Sequence, residues 1–416
     1  MDRTPSFLKW LASGLVGIAL FTGLFLLKGN GKITSLPTGI SASASPSTTE
    51  VSNKVDMHNL LVTVTRDDQR IAGSCLVVAD RKITKVRIFS ISPRVVIDTQ
   101  GSRPLDLATA GFENASSRVQ QGLENASGVR IDGSLVLQRL ALAGLVDSVH
   151  GIDITNPTAI RVRPQEHKVF IIPAGTVHID GSRAAAYALA KVPNEPRSAQ
   201  ARRIASVLKA TLAKLPTSEE RMKETLSSLG SLSRTTVPTG DVAKYLVRLN
   251  DKKVWKNAKA TPLATLPSLL GGKTRSAWER FDLPAVVVQV GNFTPTAFTE
   301  FSQTNVRIAV SSKYASDRLA SRRAIRNTPF VFVDGGEQTL PKVTRVAVWS
   351  QVAPTTMATL RKALGLKKMH IVYVAKGAST GAQNSGIASS GHRVADITVT
   401  LGVDYRALHN NKESVN

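Results

Sequence analysis

One cysteine, Cys75, stands in 416 residues, which excludes an internal disulfide and every cysteine-built zinc or iron–sulfur centre. Acidic residues are also few. Asp plus Glu number 30 against 54 Lys plus Arg, and the formal charge of +24 favours polyanions, whether nucleic acid, anionic lipid or an acidic polymer. The seven histidines are too scattered to define a metal site. No Walker loop, GxGxxG fingerprint, HExxH or GxSxG elbow occurs; LLGG (269–272) and DGG (334–336) lack the flanking architecture of a phosphate loop. What is present is 42 % hydrophobic residues over a length that fits two folded units plus connectors.

The N-terminus carries the longest apolar run. Trp10 to Leu27 is uncharged and close to the length that crosses the hydrocarbon core, so a spanning helix is expected at 10–27, with a short cytoplasmic tail at 1–9. Basic residues flank both sides and barely orient it; the terminal position points to export of the remainder. A cleaved signal peptide is the rival reading, with small residues near Ser41–Ala44 awkwardly distant from the apolar run. Residues 28–55, rich in Gly, Ser, Thr, Ala and Pro, read as a flexible stalk.

From Asn59 the pattern changes. NLLVTVT (59–65), SCLVVA (74–79) and KVRIFSI (85–91) read as consecutive strands, and apolar spacing in VQQGLENASGV and GSLVLQRLALAGLVDSVHGIDI supports helices, the second ending near His150. The clearest helix starts at Ser198, with Ile204, Val207, Leu208, Thr211, Leu212 and Leu215 on one stripe. Mixed strands and helices to about residue 295 predict an α/β (α+β layered) domain, followed by a smaller α/β unit with helices over 314–326 and APTTMATLRKALG. Residues 380–386 carry a loop signal.

Two constellations could bind an anion or a cation. In TRDDQR (65–70), Asp67 and Asp68 offer hard oxygen ligands and Arg66 or Arg70 a phosphate grip, although mixed charges in a turn are usually just solvated. In SISPRVVID (90–98), Arg94 stands at a strand end, and Arg202 and Arg203 of the later helix could join it in clamping a diphosphate. Cys75 reads as a small buried strand residue, with no base nearby to activate it.

NLLVTVT, KVRIFSISPR, LVDSVHGIDI, GTVHIDGSRAAAYALAK and ARRIASVLKATL, in this order, resemble the successive landmarks of the LytR-CpsA-Psr family of envelope proteins over 56–292. Residues 304–406, with VRIAVSS and ADITVTLGVDY, are similar to the LytR C-terminal domain, leaving 293–303 as linker and 407–416 as tail. The resemblance implies a membrane-anchored extracytoplasmic protein. It also implies a central mixed sheet, an apolar cavity for a polyprenyl pyrophosphate carrier, and transfer of its glycopolymer to peptidoglycan with Mg2+ assistance.

The chain departs from that pattern at the chemistry. Where the family shows Arg-Ser-Asp-Thr, this sequence reads Ala72, Gly73, Ser74, Cys75; in SISPRV, Arg94 is matched but Val95 takes the acidic place; Arg202 matches a helix arginine and Ala199 replaces its partner. Ser and Val cannot replace anionic oxygens around a hard cation, leaving Asp67, Asp68 or Glu195 to compensate. The expectation is a degenerate, weakly or non-catalytic binder of anionic polyprenyl-linked glycopolymer or cell wall, with an envelope protein as a further partner. A Mg2+-dependent phosphotransferase is the alternative. A membrane-bound transcriptional regulator is the third reading; no helix-turn-helix is evident, and no specific nucleic acid is expected.

Overall fold

The computed structural model describes residues 57–97, 104–111, 116–165, 168–193, 195–250, 254–255, 257–268, 278–294, 297, 306–325, 328–349, 352–374 and 395–413. The apolar segment 10–27, the stalk 28–55, most of the linker and the loop at 380–386 lie outside them. Among the described residues no helix is long and apolar enough to cross a membrane.

The first strand sets the architecture. β1 (Asn59–Thr65) is buried at all seven positions, the signature of a strand covered on both faces. It pairs antiparallel with β2 (Ile71–Ala79), which pairs antiparallel with β3 (Val86–Ile91). Two short strands, β4 (Val96–Ile97) and β5 (Leu105–Asp106), pair beyond it. β1 also pairs in parallel with β6 (Gly133–Gln138), so the sheet is mixed, as anticipated. The expected helix through GSLVLQ is therefore corrected: 133–138 are strand, and the helix α3 begins at Arg139. A six-residue segment is too short for periodicity to decide, and the backbone hydrogen bonds offered by β1 decide the matter.

The remaining elements build around that sheet. α1 (Leu107–Ala110) and α2 (Ser116–Ser127) precede β6; α3 (Arg139–Asp147) follows it. Two antiparallel pairs come next, β7 (Ile152–Asn156) with β10 (Gly175–Ile179) and, between them in the chain, the hairpin β8 (Ile160–Gln165) with β9 (Lys168–Ile172). Then come α4 (Gly181–Leu189), α5 (Arg197–Leu212), α6 (Glu219–Ser228), β11 (Ser233–Thr235), α7 (Thr239–Leu249) and β12 (Lys259–Pro262). The central sheet has the order β11-β6-β1-β2-β3-β12.

Each sheet face is sealed differently. Leu60, Val62, Val64, Cys75 and Val77 point to one core with α3, α4, α5 and α7. α5 approaches β2 closely because residue 73 is glycine: a Cβ there would lie 3.0 Å from Ile204 Cδ1 and 3.3 Å from Ala201 Cα. Leu61, Ile71, Leu76 and Phe89 face the second core, closed by α2 and by a helix Leu283–Gly291, α8, which follows the short pair β13 (Thr265–Pro267) and β14 (Glu279–Phe281).

A second sheet, ordered β16-β15-β19-β17-β18, is built from β15 (Arg307–Ser311), β16 (Val331–Gly336), β17 (Arg345–Val348), β18 (His370–Tyr373) and β19 (Ile397–Thr400). Its helices are α9 (Ala315–Ile325), α10 (Pro354–Leu364) and α11 (Val403–Glu413). Met357, Leu360, Leu364 and Tyr405 fill its own core, yet Ala309, Val333 and Ala395 join the second core of the central sheet. The two sheets thus share apolar packing within one compact unit, Val55–Asn416.

Candidate functional site

β1 and β6 end, and β2 begins, at one edge of the central sheet; β3 and the parallel β12 end there too. The carboxyl ends of parallel strands are where open α/β sheets take ligands. Most of the sequence-nominated residues lie at this edge.

In the β1–β2 turn, Arg66 donates from Nη2 to Gln200 Oε1 at 2.8 Å, and Gln200 Nε2 donates to the Leu189 carbonyl at 2.7 Å. That chain of bonds ties the turn to the first helical turn of α5. Asp67 points elsewhere, to Arg139 Nε at 2.9 Å, and Asp68 Oδ1 accepts the Arg70 backbone N–H at 3.0 Å, closing a turn in which Gln69 has φ 62°. Arg70 is exposed beside them. Arg94 is half-buried after β3, its N–H donating to Ser92 Oγ at 3.3 Å and its carbonyl accepting the Glu279 N–H at 2.9 Å.

The two helix arginines part company. Arg202 is exposed, with Nη1 donating to Ser198 Oγ at 3.2 Å. Arg203 is buried, donating to the carbonyls of Tyr187 (3.1 Å) and Ala190 and to Glu195 (2.6 Å to Oε2). It braces the end of α4 against α5 and occupies the acid nominated to compensate for the missing ligands. Replacing Arg203 with Ala is expected to cost about 2–3 kcal/mol, because the Tyr187 and Ala190 carbonyls lose their donor while Glu195 stays partly solvated. Urea unfolding of the variant measures this directly, and Arg203→Lys should restore only part of it, lacking the planar fork.

The residues do not fit a magnesium ion. Ser74, at one family acid position, is fully buried and shares a 3.0 Å hydrogen bond with Thr63; Val95, at the other, is fully buried in the apolar core. Among the described residues no group of three His, Cys, Asp or Glu could hold a metal. Cys75 is buried, and burial pushes its thiol above the ordinary range, so it stays protonated.

A feature the sequence reading missed lies on the same face as Ser74. A cavity of about 40 Å³ is bounded by Leu61, Thr63, Thr65, Ile71, Val119 of α2 and Ser134, with exposed Gln69 and Arg234 at its rim. Thr65 Oγ1 and Ser134 Oγ are buried there without a protein partner. The space suits a few ordered waters. The alternating Thr63 and Thr65 were the available signal, but hydroxyls at every second strand position also match plain β-propensity.

Residues 64–261 match the model of the LytR_cpsA_psr family. This segment belongs to the LytR-CpsA-Psr family. It is thereby placed among cell-envelope proteins of cell-wall biogenesis. Solved structures similar to the chain include protein gbs0355 from Streptococcus agalactiae (17 % identity, 56 % of this chain and 86 % of that one, TM-score 0.46). Others are TagV of B. subtilis (14 %, 58 % and 98 %, 0.46) and a LytR-Csp2A-Psr enzyme from Actinomyces oris (17 %, 58 % and 90 %, 0.44). No curated protein sequence matches the chain. The matched segment includes Arg66, Arg70, Arg94, Arg202 and Arg203 as well as Ser74 and Val95.

Proposed function

We propose that this protein is a single-pass, extracytoplasmic envelope protein, anchored by residues 10–27, that binds anionic polyprenyl-pyrophosphate-linked glycopolymer without magnesium-assisted transfer. The observation that carries this reading is the pair Ser74 and Val95. One is hydrogen-bonded inside the sheet and the other packed in an apolar core, so neither supplies a carboxylate. Cationic groups remain at the same edge: Arg66, Arg70, Arg94 and Arg202, beside the N-terminus of α5, whose helix dipole also favours an anion. Residues 304–406 serve as the accessory LytR C-terminal unit.

A fluorescent polyprenyl diphosphate analogue tests the reading. Affinity is expected to be the same in Mg2+ and in EDTA, with no diphosphate release, and Arg94→Ala should weaken binding about 10-fold by removing charge-assisted hydrogen bonds. Magnesium-dependent release of the diphosphate would instead establish the phosphotransferase reading.

A further inference from the structure

The β8–β9 hairpin stands apart from both large sheets as a two-stranded ribbon. Its register places Ile160 opposite Ile172 and Val162 opposite Phe170, and these side chains pack against the first core. Alternation therefore turns the intervening residues outward. They are Arg161, paired with Ile171, together with Arg163 and Val169. Ile171 is 66 % exposed and Val169 46 %, so two branched aliphatic side chains stand in solvent beside two exposed guanidinium groups. The covered side is fixed in place by Arg183, whose guanidinium lies 4.8 Å over the Phe170 ring.

We infer that this outer face docks on an anionic lipid surface. Branched aliphatics interleaved with arginine suit an interface where the apolar atoms enter the headgroup boundary while guanidiniums meet phosphates. From Ile160 to Ile172 the sequence holds three Arg or Lys and one Glu, so the ribbon carries the charge that complements an acidic bilayer. An acidic protein surface would meet the arginines equally well but would leave Ile171 and Val169 without an apolar counterpart as broad as a headgroup layer. This surface is separate from the strand-end site, and its test uses vesicles free of polyprenyl lipid.

The unit Val55–Asn416 contains all three apolar cores and every described element, and serves as the test protein. It should sediment with phosphatidylglycerol vesicles and not with phosphatidylcholine vesicles. Arg161→Ala/Arg163→Ala should weaken that partitioning about 30-fold, from the usual contribution of each juxtamembrane cation. A generic attraction of a strongly basic chain would scarcely register the loss of two positive charges. Ile171→Trp, conservative at so exposed a position, should show a blue-shifted emission with vesicles and quenching by brominated lipid. Unchanged affinity in the double variant, a solvent-exposed and unquenched Trp in the bound state, or absence of binding to phosphatidylglycerol would each overturn the proposal.

Discussion

Arg307→Met is expected to destabilise the protein by about 3–5 kcal/mol, the cost of removing one partner from a buried charge cluster. Arg307 opens β15 and is buried where the second sheet meets α2. Its Nη2 donates to the Asn125 carbonyl of α2 at 2.7 Å, and its backbone N–H donates to Asp396 Oδ2 at 2.8 Å. Burial pushes the guanidinium down to about 10, against the opposing influence of Asp396 and Glu124, so it remains charged at neutral pH. Glu124, also on α2, accepts the Ile131 N–H at 2.7 Å, and burial raises its carboxyl. Without the guanidinium, two carboxylates would lie in a poorly solvated joint. Denaturant unfolding gives the magnitude. The decisive comparison is the triple variant Arg307→Met/Glu124→Gln/Asp396→Asn: it keeps both side-chain acceptors, removes the charges together, and should recover most of the loss. A triple variant no better than the single one would mean that guanidinium packing, and not charge balance, holds the joint.

The joint also bears on the cavity. α2 carries Asn125 at one end and Val119, which lines the hydroxyl-bearing cavity, two turns earlier. The Arg307–Asn125 hydrogen bond thus fastens to the second sheet the helix that supplies one wall residue of the cavity. Hydrogen exchange is the natural readout, with protection of α2 and β15 falling together in Arg307→Met.

Local features were readable from the sequence. The stripe from Ile204 to Leu212 gave α5 because an amphipathic helix on a sheet repeats its apolar contacts every three or four residues, and the apolar and β-branched character of NLLVTVT suited a strand. Relationships between distant residues were not readable. Asp67 looked available for a cation because its partner, Arg139, lies 72 residues away, and Glu195 looked free because Arg203 could equally have faced solvent on a helix whose polar side is basic. Arg307 and Asn125 are 182 residues apart, and nothing in either neighbourhood marks the contact. GSLVLQ failed for another reason: its six residues are too few for period alone to decide between strand and helix.

Val95→Asp should be the most damaging single substitution at the site, about 5 kcal/mol at neutral pH. Val95 is fully buried, its N–H donates to the Ser92 carbonyl at 3.1 Å and its own carbonyl accepts from Leu107 N–H at 2.8 Å, so the backbone is pinned and the new side chain cannot swing into water. The sign of the pH dependence follows. Burial raises the folded-state pKa above the unfolded value of about 3.9, so below that pH the acid is neutral in both states and the penalty is smallest. As pH rises, the unfolded chain ionises first, and stability relative to the natural protein falls by about 1.4 kcal/mol per pH unit until the folded pKa is passed. Magnesium should not rescue this single variant. Adding Ser74→Asp should change that: Ser74 pairs with Ile91 at the end of β3 and its hydroxyl meets Thr63 on the face that Val95 also occupies, so two carboxylates would share one cation. Magnesium is then expected to raise the melting temperature of the double variant and leave the natural protein unmoved, by ligand-linked stabilisation of the folded state alone. A double variant indifferent to magnesium would mean that the two positions are too far apart to share one ion.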